Sequence, residues 1–455
     1  MNYDIIRELV MRHRESILRA ERYIWEHPET GFFEFETDAY MKKAFRDMGY
    51  ELIAPNDITG FYTVLDTGRE GPTVLVLAEL DSLLCDTHPD AEPTKGAVHA
   101  CGHNAQCASI LGVAAALMDM KNEGLLDGLC GRIKLCLVPA EEGVELGLRQ
   151  KLIEEGRISF TSGKTEFISR RYFDDVDVAF MVHTAELEKD KLFKLAIGAN
   201  GVIRKRTVFH GRAAHAGGSP HMGINALNAA STALTAVNSL RETFREKDYV
   251  RFHSIITKGG DAVNAVPETV AVESYVRASS VEALKDANAK INRTISAVAA
   301  AFGANAEIFD MPGSEALRQD MELNQLAVRV LDKLVGRDAY SWHYDWMASS
   351  TDMGDVSVLF PSIHPYAGGA SGIAHGNNYQ IADPDNACVL NAVFQTAMLF
   401  ELLENGAQAA KEIMERFVPV FGSIDEYLAH KRSMTMHKNT VIYKEDGSIV
   451  LDFQN

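Results

Sequence analysis

Between residues 4 and 26 the apolar positions Ile5, Leu9, Ile17, Tyr23 and Ile24 recur at helical spacing, and a second helical stretch over 37–48 stops at Gly49. Three β-rich apolar runs follow, at 73–80, 132–138 and 176–182, separated by helical patterns at 105–121 and 149–155. That alternation predicts an α/β domain with a mainly parallel central sheet. Beyond Gly198 the texture becomes strand (207–211), helix (225–244), two strands (252–257 and 270–278), helix (281–302) and strand (306–309). This βαββαβ order can close by itself as a ferredoxin-like unit. From Gly313 the α/β texture returns, with helices at 322–334 and 386–403. The expectation is a discontinuous α/β domain, residues 1–199 and 312–455, interrupted by an inserted domain at 200–311. A closing hairpin is predicted from Val441-Ile442-Tyr443 and Ile449-Val450-Leu451 around Asp446-Gly447.

Length agrees with two domains, because 455 residues exceed what a single hydrophobic core sustains. With 46% hydrophobic and 24% charged residues the chain reads as globular. A net charge of −18, with the basic residues scattered, argues against nucleic acid or anionic membrane as a partner. The start of the chain is charged throughout and lacks the apolar core of a signal peptide. No stretch reaches the roughly 20 apolar residues of a membrane span, so a cytoplasmic location is expected. Six cysteines in so long a chain do not make a disulfide framework.

Candidate chemistry collects where the apolar runs end. The first runs into Glu79 and Asp81, the second into Glu141 and Glu142, and the third into His183. Ligands of open α/β sheets gather at the carboxyl ends of strands, so these side chains are expected to converge. The segment His99-Ala100-Cys101-Gly102-His103-Asn104 adds a thiol and an imidazole just before a helix, and His375 sits in a Gly-rich loop. Singly, a cysteine or histidine is most often structural and a Glu-Glu pair is most often solvated. Together, Cys, His and Glu form the donor set of zinc and related cations, and a set with open positions is catalytic. Neighbouring residues of an extended chain point to opposite sides, so Glu141 and Glu142 divide the roles of metal ligand and general base. Which carboxylate takes which role the spacing leaves open. Arg277 closes a strand, where a guanidinium can clamp a carboxylate or serve only as a surface ion-pair partner.

The ordered motifs His99-Ala-Cys-Gly-His103, Pro139-Ala-Glu-Glu-Gly143, Gly211-Arg-Ala-Ala-His215 and Asn264-Ala-Val-Pro267 resemble the aminoacylase/carboxypeptidase-G superfamily of co-catalytic metallopeptidases. Within it they look most like the amidohydrolase branch that contains aminobenzoyl-glutamate hydrolase subunits and indole-acetyl-amino-acid hydrolases. The resemblance runs from about Trp25 to Ala392. It implies a zinc-aminopeptidase-like host domain with an inserted dimerisation lid, and a homodimer. By position it implies that Cys101, His103, Glu142, His183 and His375 bind two divalent ions, zinc, manganese or cobalt, with Glu141 as general base. It also implies that His215 reaches the partner's site to stabilise an oxyanion, and that Asn264 and Arg277 hold a substrate carboxylate. Asp81 and Asp352 are candidates for hydrogen-bonding support of the ligands.

The implied activity is hydrolysis of the amide bond of a small N-acyl or N-aminoacyl amino acid by a metal-activated water. Two alternatives stand beside it: a dipeptidase acting on a free-amine substrate, with Glu79 or Asp81 reading the ammonium, and a non-catalytic binding protein with a degenerate metal site. The second is motivated by Asn104 and Gln106, which stand where many branch members carry Asp and a second His, and Glu79-Leu-Asp81 replaces the usual Asp-x-Asp.

Overall fold

The three apolar runs become adjacent parallel strands, Arg132–Val138, Thr73–Glu79 and Val178–Met181, at the middle of a five-stranded sheet in a computed structural model that describes residues 2–454. Every residue of Thr73–Glu79 is buried, as a parallel strand covered on both faces requires. Ser362–Ile363 extends the sheet in parallel. Phe61–Asp66, which the sequence pattern did not single out, closes the other edge antiparallel to Arg132–Val138.

On one face the helices Tyr3–Met11, Arg14–Glu26, His103–Asn122 and Asn391–Leu403 pack into one apolar cluster. On the other, Phe167, Met353, Val356 and Leu428 from three further helices cover Leu75, Leu77 and Ala179. The helix expected over 4–26 is broken into two at Arg12-His13. The one expected over 386–403 opens with a π-helical turn, Asp385–Leu390. The joint stretch Asp385–Leu403 is long and apolar enough to cross a membrane, but 89% of its most apolar window is buried inside this fold, where it serves as a core helix.

The insertion forms a second sheet in the order Arg251–Lys258, Thr269–Ala278, Gly201–His210, Asn305–Pro312, antiparallel throughout. The helices Ala226–Asn238 and Val281–Ala301 cover one face with alanine-rich surfaces. This is the ferredoxin-like βαββαβ arrangement. The C-terminus departs from the expected division. Met436–Asn439 pairs with Asn305–Pro312 as a fifth strand of the lid sheet, and the hairpin Val441–Tyr443 with Ile449–Leu451 packs on Val281–Ala301. The end of the segment assigned to the host, 312–455, therefore lies on the insertion. Its edge strand reads Met-His-Lys-Asn, with too little apolar alternation to announce itself. Where the chain returns from lid to host, Lys431 donates from its buried Nζ to the Gly313 carbonyl at 2.7 Å and to Asp355 Oδ1 at 3.0 Å.

Candidate metal centre

The carboxyl ends of the three central strands bring Glu79, Glu141, Glu142 and His183 to one place, where Cys101 and His103 join them from the start of the helix His103–Asn122 and His375 from a loop. Cys101 Sγ lies 3.4 Å from His183 Nε2, and His375 Nε2 lies 3.4 Å from Glu142 Oε1. Donor atoms of Cys101, His103 and His183 fall within 4.8 Å of one another; so do those of Cys101, Glu142 and His375, and those of His103, Glu141 and Glu142. Cys101, His103 and Glu142 each belong to two of these groups, so the three groups overlap in one cluster.

Local backbone geometry explains the convergence. Gly102 has φ +89°, and a Cβ there would meet Thr184 Cγ2 at 2.4 Å and the Tyr379 hydroxyl at 2.5 Å. Only glycine lets the chain turn from Cys101 into the helix that begins at His103. Ala140, at φ +56°, turns the chain out of strand geometry just before Glu141 and Glu142. Arg149, buried at the start of the following helix, grips the Glu142 carbonyl, and Arg204 Nη2 donates to the Glu141 carbonyl at 2.8 Å. The loop is held from both sides while both carboxylates keep their oxygens.

Two of the clustered imidazoles are oriented through their far nitrogens. His183 Nδ1 donates to the Thr184 carbonyl at 2.6 Å, and His103 Nδ1 donates to the Asp81 carbonyl at 2.8 Å, so Nε2 of each ring points into the cluster. Asp81 Oδ2 also accepts from Glu142 N at 2.8 Å, tying two ligand-bearing segments to one side chain. Burial pushes His183 down to about 4, with the nearby His103 charge adding to it, so its ring is neutral and able to ligate at neutral pH. Against the effect of burial, the charges of Glu79 and Cys101 hold His103 well above the usual imidazole range. Burial, then the charges of Glu79 and Glu142, raise the Glu141 carboxyl well above the ordinary carboxylate range. Glu142 Oε1 is buried and makes no hydrogen bond, while His103 Nε2 faces the Glu79 carboxylate at 3.1 Å. A buried carboxylate oxygen left open beside a thiol and imidazoles is what a cation site requires, and the donor set fits divalent ions.

The residues that stood out against the resemblance have partners. Asn104 Nδ2 donates to Glu21 Oε1 at 2.8 Å. Gln106 holds Glu79 twice, accepting from its backbone N–H at 3.2 Å and donating to Oε2 at 2.9 Å. Glu79 Oε1 pairs with Lys164, and the same ammonium pairs with Asp352. Lys164 was not legible as a site residue, since its helix, Gly163–Ser169, is short and carries no motif. Glu79 and Asp81 are buried to within 1% and engaged in these contacts, so neither faces the cleft as a reader of substrate ammonium.

A cleft of about 500 Å³ opens over the cluster, lined by Cys101, Glu141, Glu142, His183 and His375 on the host side and by Arg204, Tyr275 and Arg277 on the lid side. Arg277 stacks its guanidinium 4.2 Å from the Tyr275 ring and keeps a buried Nε without a partner. His364 also lines this cleft, fully buried with both ring nitrogens unpartnered; sequence reading passed it over because no motif surrounds it. His215 and Asn264 are not brought to the cleft of their own chain. They sit together on an exposed edge of the lid, where His215 bridges Ala265 and the Asn264 carbonyl accepts from Ala216 N at 3.0 Å. His215 Nδ1 accepts from the Gly217 and Gly218 amides at 3.1 and 2.9 Å, which leaves Nε2 as the donor.

The host sheet carries an inserted ferredoxin-like lid, and a cluster of Cys, His and Glu donors sits in the cleft between them. Known proteins of the same build are hydrolases by name. Residues 197–302 match the M20 peptidase dimerisation domain. The chain is 26% identical over 329 residues to N-acetyl-L-cysteine deacetylase of Bacillus subtilis (strain 168), covering 69% of this chain and 71% of that one. To one of the p-aminobenzoyl-glutamate hydrolase polypeptides of Escherichia coli (strain K12) it is 29% identical over 300 residues, covering 64% of this chain and 57% of that one. Its fold resembles a dinuclear metal-binding peptidase of the M20 family from Bacillus subtilis, with a TM-score of 0.60 at 20% identity, over 87% of this chain and 99% of that one. The likeness to M20 peptidases and amidohydrolases thus spans the lid and the host domain alike.

Proposed function

We propose that this protein hydrolyses the amide bond of a small N-acyl or N-aminoacyl amino acid, aminobenzoyl-glutamate-like compounds included, using two divalent ions held by Cys101, His103, Glu142, His183 and His375. The observation that carries the reading is the sharing of Cys101, His103 and Glu142 among three overlapping donor groups, with Glu142 Oε1 buried and without a hydrogen bond. Zinc, manganese or cobalt suits this set. Such ions, when bound, polarise a carbonyl and make water a stronger acid.

The chain's own groups do the rest. Glu141 lines the cleft next to the cluster and takes the proton of the attacking water, then delivers it to the leaving nitrogen, a contribution of about 10²–10⁴-fold. Arg277 receives the substrate carboxylate, its plane fixed by the Tyr275 ring. His215 and Asn264, exposed on the lid, act in the cleft of a second copy, where the His215 Nε2–H stabilises the developing oxyanion. The engagement of Glu79 and Asp81 within the protein favours an uncharged acylated nitrogen over a free-amine dipeptide.

The test is a substrate screen on metal-stripped protein reloaded with zinc, manganese or cobalt, using N-acyl amino acids, aminobenzoyl-glutamate and dipeptides. Metal-restored turnover of N-acylated compounds bearing a free carboxylate is expected. Turnover confined to dipeptides, or none with any compound after reloading, contradicts the proposal.

A further inference from the structure

Beneath the ligand cluster a second group of acids closes in. Oxygens of Glu79, Glu141 and Asp352 lie within 4.8 Å of one another; Glu79 and Asp352 are buried, and Glu141 and Asp352 reach the floor of the cleft. Carboxylates packed this closely, two of them buried, need a cation among them. Lys164 supplies it: its side chain is fully buried and its ammonium pairs with both Glu79 and Asp352.

The surrounding backbone is built to put it there. A Cβ on Gly163 would fall 1.7 Å from the Pro139 carbonyl oxygen, so only glycine lets the start of the Gly163–Ser169 helix press against the strand end that carries Glu141. Lys164 N donates to Asp352 Oδ2 at 3.1 Å, which fixes the same carboxylate a second time. Glu79 reaches the ammonium with one oxygen and leaves the other 2.9 Å from Gln106 Nε2 and 3.1 Å from His103 Nε2. Gln106, Glu79, Lys164 and Asp352 thus form one connected assembly, and its Glu79 lies against the His103 imidazole.

We infer that Lys164 is a protein-borne cation that fills the pocket of Glu79, Glu141 and Asp352, closes it to divalent ions and confines metal to the cluster around Cys101, His103 and Glu142. The inference rests on the reading of that cluster as a centre for two divalent ions. Lys164 acts through Glu79 and Asp352 and is a positioning residue. Its role differs from that of an ordinary buried ion pair in one respect: with the ammonium gone, the pocket becomes a cation site.

Metal-stripped protein titrated with zinc, with bound ions counted by elemental analysis, tests this without recourse to activity. The wild type and Lys164→Arg are expected to bind two ions per chain. Lys164→Met is expected to bind a third, and Lys164→Met with Asp352→Asn to return to two. Methylammonium is expected to compete the third ion out of Lys164→Ala. A folded Lys164→Met or Lys164→Ala protein that stops at two ions overturns the inference while leaving the proposed function intact. A wild type that binds no zinc removes the function and the inference together. If both variants fold only when zinc or methylammonium is supplied, the inference is upheld, and if neither cation restores folding it is refuted.

Discussion

Cys101 Sγ sits 3.4 Å from His183 Nε2 across 82 residues of sequence, and the same thiol belongs to both of the donor groups that include His183 or His375. Loss of an outer hydrogen-bond partner typically lowers metal affinity about 10–100-fold, and loss of a shared ligand should exceed that. Cys101→Ser is therefore expected to bind zinc more than about 100-fold more weakly in equilibrium dialysis. Near wild-type affinity would remove the thiol from the centre.

His215 and Asn264 belong to a second copy's cleft if the lid works across a dimer. Inactive His215→Ala and Glu141→Gln proteins, mixed and allowed to exchange subunits, are then expected to recover about a quarter of the wild-type activity per site, because one mixed-dimer cleft in two is intact and half the dimers are mixed. Full exchange, shown by mass spectrometry, without recovery would place the histidine's action within its own chain.

Glu21, buried behind the cluster and bonded to Asn104, gives a pH signature. Burial pushes its carboxyl from 4.5 up to about 7, opposed by Arg22 and Asn104. The folded state therefore binds this proton more tightly than the unfolded chain, and stability falls as pH rises from about 4.5 to about 7. Glu21→Gln is expected to raise stability at pH 8 by up to about 3 kcal/mol, and to change it little below pH 4.5, in urea unfolding at the two pH values. An equal effect at both would dissociate the residue from this titration.

Within the lid, Lys205 and Asp310 form a buried ion pair, and Asn288 and Asn292 donate to Asp310 Oδ2 at 2.6 and 2.7 Å. Lys205→Met alone leaves a buried charge uncompensated and is expected to cost about 3–5 kcal/mol in chemical denaturation. Replacing both residues, Lys205→Met with Asp310→Leu, should recover most of that loss. A double variant as unstable as the single would mean that the asparagines depend on the carboxylate more than the pair does on its charges.

Much of this architecture is legible in the chain itself, for reasons that differ by element. Continuous apolar runs such as 73–80 identify a parallel strand because both its faces are covered, and the metal-competent residues at their ends follow from where strands stop. The inserted βαββαβ unit announces itself by the change of period near Gly198. What stays hidden depends on distant partners. Lys164 looks like any helical lysine until Glu79 and Asp352, 85 and 188 residues away, are brought to it. Gln106 has no local meaning, because its function is to hold Glu79. The strand Met436–Asn439 is polar and borrows its hydrogen bonds from the lid edge. His215 and Asn264 are conspicuous in sequence and remote from the cleft of one chain, which a place set by a second copy would explain.

If Glu142 binds metal while its neighbour Glu141 moves protons, one variant separates the two roles. Glu141→Gln should retain two zinc ions per chain by elemental analysis while turnover on the best N-acyl amino acid falls by about 10²–10⁴-fold. Unchanged turnover with metal retained would overturn the division of labour between the two carboxylates, and so would loss of the metal itself.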